Sequence, residues 1–248
     1  MAFSLADIQP THRKAPPRLL IHGVPGIGKS TFGASLDWPI FIQCEDGLDG
    51  VEAQAFALAT SFDDVLAQLK TIFEEGRDHY KTIVIDTVDA LERLIWAKVA
   101  RDHKCDSIEE LGYGKGYIFA LNHWQTLLTT LNFMRQNGFA ICLLCHTSVK
   151  RFQSPTTEAY DRYELSLHKG SAALLVEWAD IVGFANWVVI TRAEDAGFNK
   201  KVVKGIGTGT RKLHLSERPA WIAKNRYSLP DEMDFSWEAI SAALNDEA

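Results

Sequence analysis

The sequence has no apolar run near the ~18 residues that a membrane-spanning helix needs. Its opening stretch, MAFSLADIQPTHRKAPPRLL, lacks a basic start followed by an apolar core and a cleavage site. Neither a membrane partner nor export is therefore expected. Residues 1–16 read as a flexible lead-in, and residues 17–248 as a single domain. Cysteine is scarce, with Cys44, Cys105, Cys142 and Cys145 the only four. Without an export signal they read as reduced thiols in the cytoplasm, not as a disulfide framework. An excess of positive charge is also missing: 26 Lys and Arg stand against 32 Asp and Glu, a formal net charge of -6. Wholesale attraction to nucleic acid or anionic lipid is excluded, so any such contact must come from a local basic cluster. There is no internal repeat and no low-complexity tract.

One cysteine pair imitates another chemistry. Residues 142–146, Cys-Leu-Leu-Cys-His, match the attachment pattern of a c-type haem. The pair lies inside FAICLLCH, an apolar run of buried-strand character, and positions three apart on a strand point to opposite faces. Haem or redox chemistry is not expected from it.

What is present is an alternation of apolar strands and helices. Strands are expected at 18–23, 39–45, 81–87 and 139–146. Helices are expected at 29–36, 61–76, 88–103 and 116–138, the second opened by Ser61 as N-cap with Asp64 three positions on. Near-continuous apolar strands separated by helices argue for an α/β fold with a mostly parallel central sheet covered on both faces. Residues 147–170 are polar and without clear period. Residues 181–224 read as strands and tight turns, an antiparallel extension toward the C-terminus, and a short helix closes the chain at 236–245.

The first strand runs into Gly23-Val24-Pro25-Gly26-Ile27-Gly28-Lys29-Ser30, the full Walker A pattern between a strand and a helix. Its glycines let the backbone curl so that N–H groups face a phosphate, and the helix start adds positive potential. Lys29 is expected at the β- and γ-phosphates of ATP, Ser30 on Mg²⁺, and Thr31 beside the α-phosphate. Thr82-Ile83-Val84-Ile85-Asp86, an apolar strand ending in a carboxylate, is the Walker B form, with Asp86 holding the Mg²⁺ shell. Asp89 reads as an ordinary acid in the first turn of the next helix. Thr87, not Glu, follows Asp86. The candidate for orienting water is therefore Glu45, at the C-terminal end of the second strand, where a doubly wound sheet lines its ligand crevice; the alternative is a solvated loop acid among Asp46 and Asp49. His146, ending the fourth strand at the same edge, reads either as a γ-phosphate sensor or as a capped strand-end histidine.

The order Walker A, FIQCED, TIVIDTVDAL, LLCH with a polar segment, and finally AKNRY resembles the core of RecA-type recombinases. It is most similar to phage-encoded minimal RecA-like ATPases of single-strand annealing and recombination, over about residues 17–230. The resemblance implies that Glu45 activates water and that His146, where RecA has a glutamine, couples nucleotide to DNA. It implies further that Lys224 and Arg226 reach the γ-phosphate of a neighbouring subunit. That in turn implies a homo-oligomer, ring or filament, acting on single-stranded DNA, with a single-strand-binding protein as a further partner. The extra terminal domains of RecA are absent from this sequence, so annealing is implied more directly than strand exchange.

The resemblance places single-stranded DNA at residues 147–170, with Lys150, Arg151, Phe152, Arg162 and Lys169 as contacts. Charge there is nearly balanced, four cations against Glu158, Asp161 and Glu164. Residues 198–226 are more basic, with eight Lys or Arg and one Glu, enough to follow a DNA backbone or to be a solvated hairpin face. An AAA-type loader or switch that regulates a replication partner is the competing reading. A small-molecule kinase ranks lower, because 147–170 hold only Arg151 and Arg162 of the arginines a phosphate-clamping lid needs.

Overall fold

The computed structural model of the protein describes Ser4, residues 15–195 and residues 201–246, with the side chains of 191–195, 201–206 and 246 outside that description. All but three residues of the expected lead-in, and Lys200 of the basic segment, lie outside the described residues.

β1 (Arg18–Gly23) is the run RLLIHG, buried from Leu19 onward. A strand apolar on both faces needs neighbours on both sides and layers above and below. β1 has β4 (Ala140–Phe152) on one side and β6 (Ile181–Asp195) on the other, both parallel to it. β3 (Thr82–Asp86) pairs in parallel with β4, and β2 (Pro39–Gln43) with β3. Together they form a parallel core in the order β2-β3-β4-β1-β6. β7 (Lys201–His214) and β9 (Glu232–Asp234) extend it antiparallel, and β8 (Lys224–Asn225) pairs with the start of β6. The expected α/β architecture with an antiparallel C-terminal extension is the one observed.

Side-chain alternation divides the core between the two faces. Ile141, Leu143 and Cys145 of β4 join one cluster with α2 (Phe62–Glu75), α3 (Val88–Asp102), α4 (Lys115–Gln136) and α5 (Lys169–Trp178). Cys142 and Leu144 join the other, with α1 (Lys29–Ala34) and α6 (Trp237–Asp246). Cys142 and Cys145 thus sit buried on opposite faces as free thiols, incompatible with bridging one group. Ser61 caps α2 in a full capping box with Asp64. α1 rests close on the sheet at Gly33, where a Cβ would stand 3.0 Å from Phe41 Cζ and 3.0 Å from Val84 Cγ1. Just before β6, Asp180 gathers Arg18, Arg135 and Arg226 at 2.6, 3.3 and 3.2 Å.

The polar segment 147–170 is not an irregular loop. β4 continues through His146 to Phe152, turns, and returns as β5 (Tyr160–Leu165), after which Lys169 opens α5. A two-stranded ribbon that projects from a sheet does not bury both faces, so these residues carry no apolar run. The rule that locates buried parallel strands is silent there. Among the described residues, no helix is long and apolar enough to cross a membrane.

Candidate nucleotide site

Five parallel strands end at one edge, and their register sets the site. Gln43 lies beside Asp86, Asp86 beside Leu144, and Gly23 beside His146. The phosphate loop, the Walker B aspartate, the residues just past β2 and the midpoint of β4 are thereby brought together. The loop leaves β1 at Gly23 and enters α1 at Lys29. Gly26 and Gly28 have φ of 74° and 97°, the left-handed region that glycine enters without a Cβ penalty. Ile27 is fully buried and pins the loop to the core, whereas Pro25, Gly26 and Thr31 are exposed and Val24 partly so.

Lys29 folds over the loop, its Nζ 3.2 Å from Gly23 O and 3.4 Å from Val24 O. Burial draws its pKa down, against the pull of Asp86, Asp89 and Glu45 upward. Ser30 Oγ donates to Asp86 Oδ2 at 2.6 Å. Burial raises the Asp86 pKa, outweighing that hydrogen bond and the attraction of Lys29. A hydroxyl and a carboxylate side by side are a hard-oxygen pair, the donor chemistry that suits Mg²⁺ beside a phosphate. The residues present therefore fit the expected ion.

Beyond this pair lies a second group. His146 donates its peptide N–H to Asp89 Oδ1 at 2.9 Å, and its Nδ1 is 3.0 Å from Asp89 Oδ2. His146 Nε2 lies 3.8 Å from Glu45 Oε1. The Asp89 hydrogen bond raises the His146 pKa despite partial burial. Burial alone would raise the Asp89 pKa, but the bonds from His146 prevail and hold it below the usual range. Glu45 is raised, by burial first and then by Asp89 and Asp86, with His146 opposing. Ligand atoms of Glu45, Asp89 and His146 lie within 4.8 Å of one another, a spacing open to a cation. Both polar groups of His146 nearest Asp89 are already committed to it, which favours a hydrogen-bonded chain Asp89–His146–Glu45.

Sequence reasoning placed Glu45 and His146 at this edge but set Asp89 aside. Asp89 is in the first turn of α3, as expected, yet only 8% exposed and bonded twice to β4. The available signal was its setting between Val88 and Ala90 in a helix start that faces the sheet. The other expected residues lie elsewhere. Lys224 and Arg226 flank the start of β6, where Val182 pairs with Lys224, at the edge of the sheet opposite the P-loop. Lys224 Nζ donates to the carbonyls of Val176, Glu177 and Ala179 at 2.7–2.8 Å, closing the end of α5. Arg226 bonds to Asp180 and to Glu177 O.

On the β4–β5 ribbon, Lys150 Nζ donates to Leu165 O and Leu167 O, and Arg151 pairs with Asp161. Arg162 is buried, pairs with Glu217 and lies 4.9 Å from the ring centroid of Phe152. Phe152 in turn sits 5.4 Å from Tyr160. Lys169 is exposed at the start of α5. Of the late basic residues, Lys212 is held by Asp234 and Arg218 by Asp231.

Three comparisons show what this chain is similar to. The KaiC-like protein PH0186 from Pyrococcus horikoshii OT3 is 12% identical, covering 81% of this chain and 78% of that one, with a TM-score of 0.41. The SPbeta prophage-derived uncharacterized protein YorG of Bacillus subtilis (strain 168) is 21% identical over 233 residues; the match takes in 91% of this chain but spans only 65% of that relative's length. The profile of a family described as an AAA domain (AAA_24) matches residues 15–227, from just before β1 through the phosphate loop, Glu45, Asp86, Asp89 and His146 to Tyr227. The chain belongs to this AAA domain family and is a P-loop NTPase.

Proposed function

We propose that the protein is a Mg²⁺-dependent ATPase, phage-derived like the prophage relative it matches, that couples hydrolysis to single-stranded DNA as a homo-oligomer in recombination or annealing. The observation that carries the reading is the convergence of Lys29, Ser30, Asp86 and Glu45 at one sheet edge, with His146 joined to both Glu45 and Asp89. Lys29 and the loop N–H groups hold the triphosphate, and Ser30 and Asp86 hold the ion, which when bound offsets charge on the phosphate oxygens. Glu45, drawn up in pKa toward a useful base, orients a water and accepts its proton. His146 lies on the same strand as Phe152, so a change at its ring has a continuous backbone path to the ribbon. Aromatic side chains such as Phe152 and Tyr160 contribute ~1–3 kcal/mol per stacked base when a single strand lies on them.

One observation favours the second reading, a switch acting on a protein partner. Lys150, Arg151 and Arg162 are all engaged by main-chain or carboxylate acceptors within the chain, leaving little free positive charge on the ribbon. The test is ATP hydrolysis by the purified protein with and without single-stranded DNA, beside Lys29→Ala and His146→Ala. Stimulation by DNA that His146→Ala removes while basal turnover survives supports coupling through β4. Robust turnover indifferent to DNA sinks the DNA-coupled reading and leaves the protein-directed switch.

A further inference from the structure

Arg211 on β7 differs from other described cations of the late basic segment. Lys212, Arg218 and Arg226 each have a carboxylate partner, and Lys224 has three carbonyls. Among the described residues Arg211 has no carboxylate, although it is exposed and its strand is ordered by pairing with Trp187 of β6. Its Nη1 instead donates to Ile27 O, inside the phosphate loop, at 3.1 Å. It lies so close over the loop that a Cβ built on Gly28 would stand 2.5 Å from the same nitrogen; the next atoms met are Arg211 Cζ and, at 4.0 Å, Thr31 Cβ.

Two cations therefore bracket the loop. Lys29 bends back to its beginning, at Gly23 and Val24. Arg211 covers its end, on the Gly28–Thr31 side. Each is satisfied by a main-chain carbonyl, an acceptor weaker than an anionic oxygen. A guanidinium has five N–H donors in a fixed fork, and one carbonyl uses few of them.

We infer that Arg211 binds nucleotide in its own subunit, its guanidinium exchanging Ile27 O for an oxygen on the α-phosphate side of a nucleoside di- or triphosphate. This rests on the P-loop reading above and adds a residue from the antiparallel extension to it. An α-phosphate oxygen is not part of the transferred phosphoryl group, so the contact serves ground state and transition state alike. Its loss weakens binding and leaves the chemical step in place. It also gives Gly28 a second reason to be glycine, since a side chain there would displace the arginine.

The experiment is ADP affinity, KM and kcat for ATP, and melting temperature with and without ADP. These are compared for the wild type, Arg211→Ala, Arg211→Lys and the neighbouring Lys212→Ala. Expected are an ADP Kd and an ATP KM raised about tenfold in Arg211→Ala, the size of one charge-assisted hydrogen bond, with kcat within about twofold. Arg211→Lys falls between, and Lys212→Ala matches the wild type. An Arg211→Ala protein with wild-type ADP affinity overturns the inference. So does one that melts lower without ligand yet keeps the full ADP-induced rise, which would make Arg211 only a brace for the loop. Absence of ADP binding by the wild type itself refutes the P-loop reading instead, so the two failures are distinguishable.

Discussion

Replacing Asp89 by Asn tests the hydrogen-bonded chain most directly. Asn keeps the volume and one carbonyl acceptor, enough for the His146 peptide N–H, but removes the charge and turns an amide toward the ring. Asp89 is 8% exposed while the His146 side chain is 33% exposed, so the ionic part of their bond is partly screened. A hydrogen bond to a charged partner contributes ~1.5–3 kcal/mol and a neutral one ~0.5–1.5 kcal/mol. Taking the low end for the screened pair, Asp89→Asn costs about 1.5 kcal/mol at pH 6 and about 1 kcal/mol or less at pH 9. The sign follows from the shifts. His146 is raised above its ordinary 6.5, so its contribution is complete below 6.5 and is lost as pH climbs through the raised value. Asp89 is lowered from 3.8, so its own contribution fades only as pH falls below that figure, outside the interval tested. The assay is urea unfolding of wild type and Asp89→Asn at several pH values from 6 to 9. A stability difference that stays constant across the interval, or grows with pH, refutes an ionic His146–Asp89 pair.

Gly33→Ala places a methyl 3.0 Å from Phe41 and Val84 and 3.3 Å from Leu144 Cδ1. Overpacking of this kind costs about 1–2 kcal/mol after the better helix propensity of Ala, read as a lower denaturant midpoint, and an unchanged midpoint contradicts the close seating of α1. Lys224→Met keeps the apolar stem and removes the donor to three carbonyls at the end of α5, so unfolding stability falls by about 1–2 kcal/mol with turnover per folded molecule retained. Wild-type stability combined with lost hydrolysis assigns Lys224 to a neighbour's phosphate instead.

The parallel core was legible because its strands are buried on both faces, so that RLLIHG, PIFIQ, TIVID and ICLLC stand out as unbroken apolar runs. Walker A and Asp86 were legible because phosphate chemistry fixes residue types at short spacing. The ribbon beyond His146 was not, since a strand half in solvent has a polar sequence and only its partner reveals it. Asp89 escaped because its importance depends on a residue 57 positions away. The late cations looked like a free basic surface in a count of charge. Asp180, Asp231 and Asp234, which neutralise Arg226, Arg218 and Lys212, come from positions that no local window joins to them.

The central place of β1 bears on synthesis as well as on the site. It is made well before either neighbour, residues 141–146 on one side and 181–185 on the other. At ~5–20 residues per second, the ribosome delivers the second neighbour roughly ten to thirty seconds after β1 emerges. Leu19, Leu20 and Ile21 have no strand partner until residues 141–146 emerge, and one side stays open until 181–185 follow. Such an edge is a docking point for chaperones and a hazard for pairing between nascent chains. The arrangement that puts the phosphate loop at the middle of the sheet also makes the nucleotide-binding strand the longest to wait for its place.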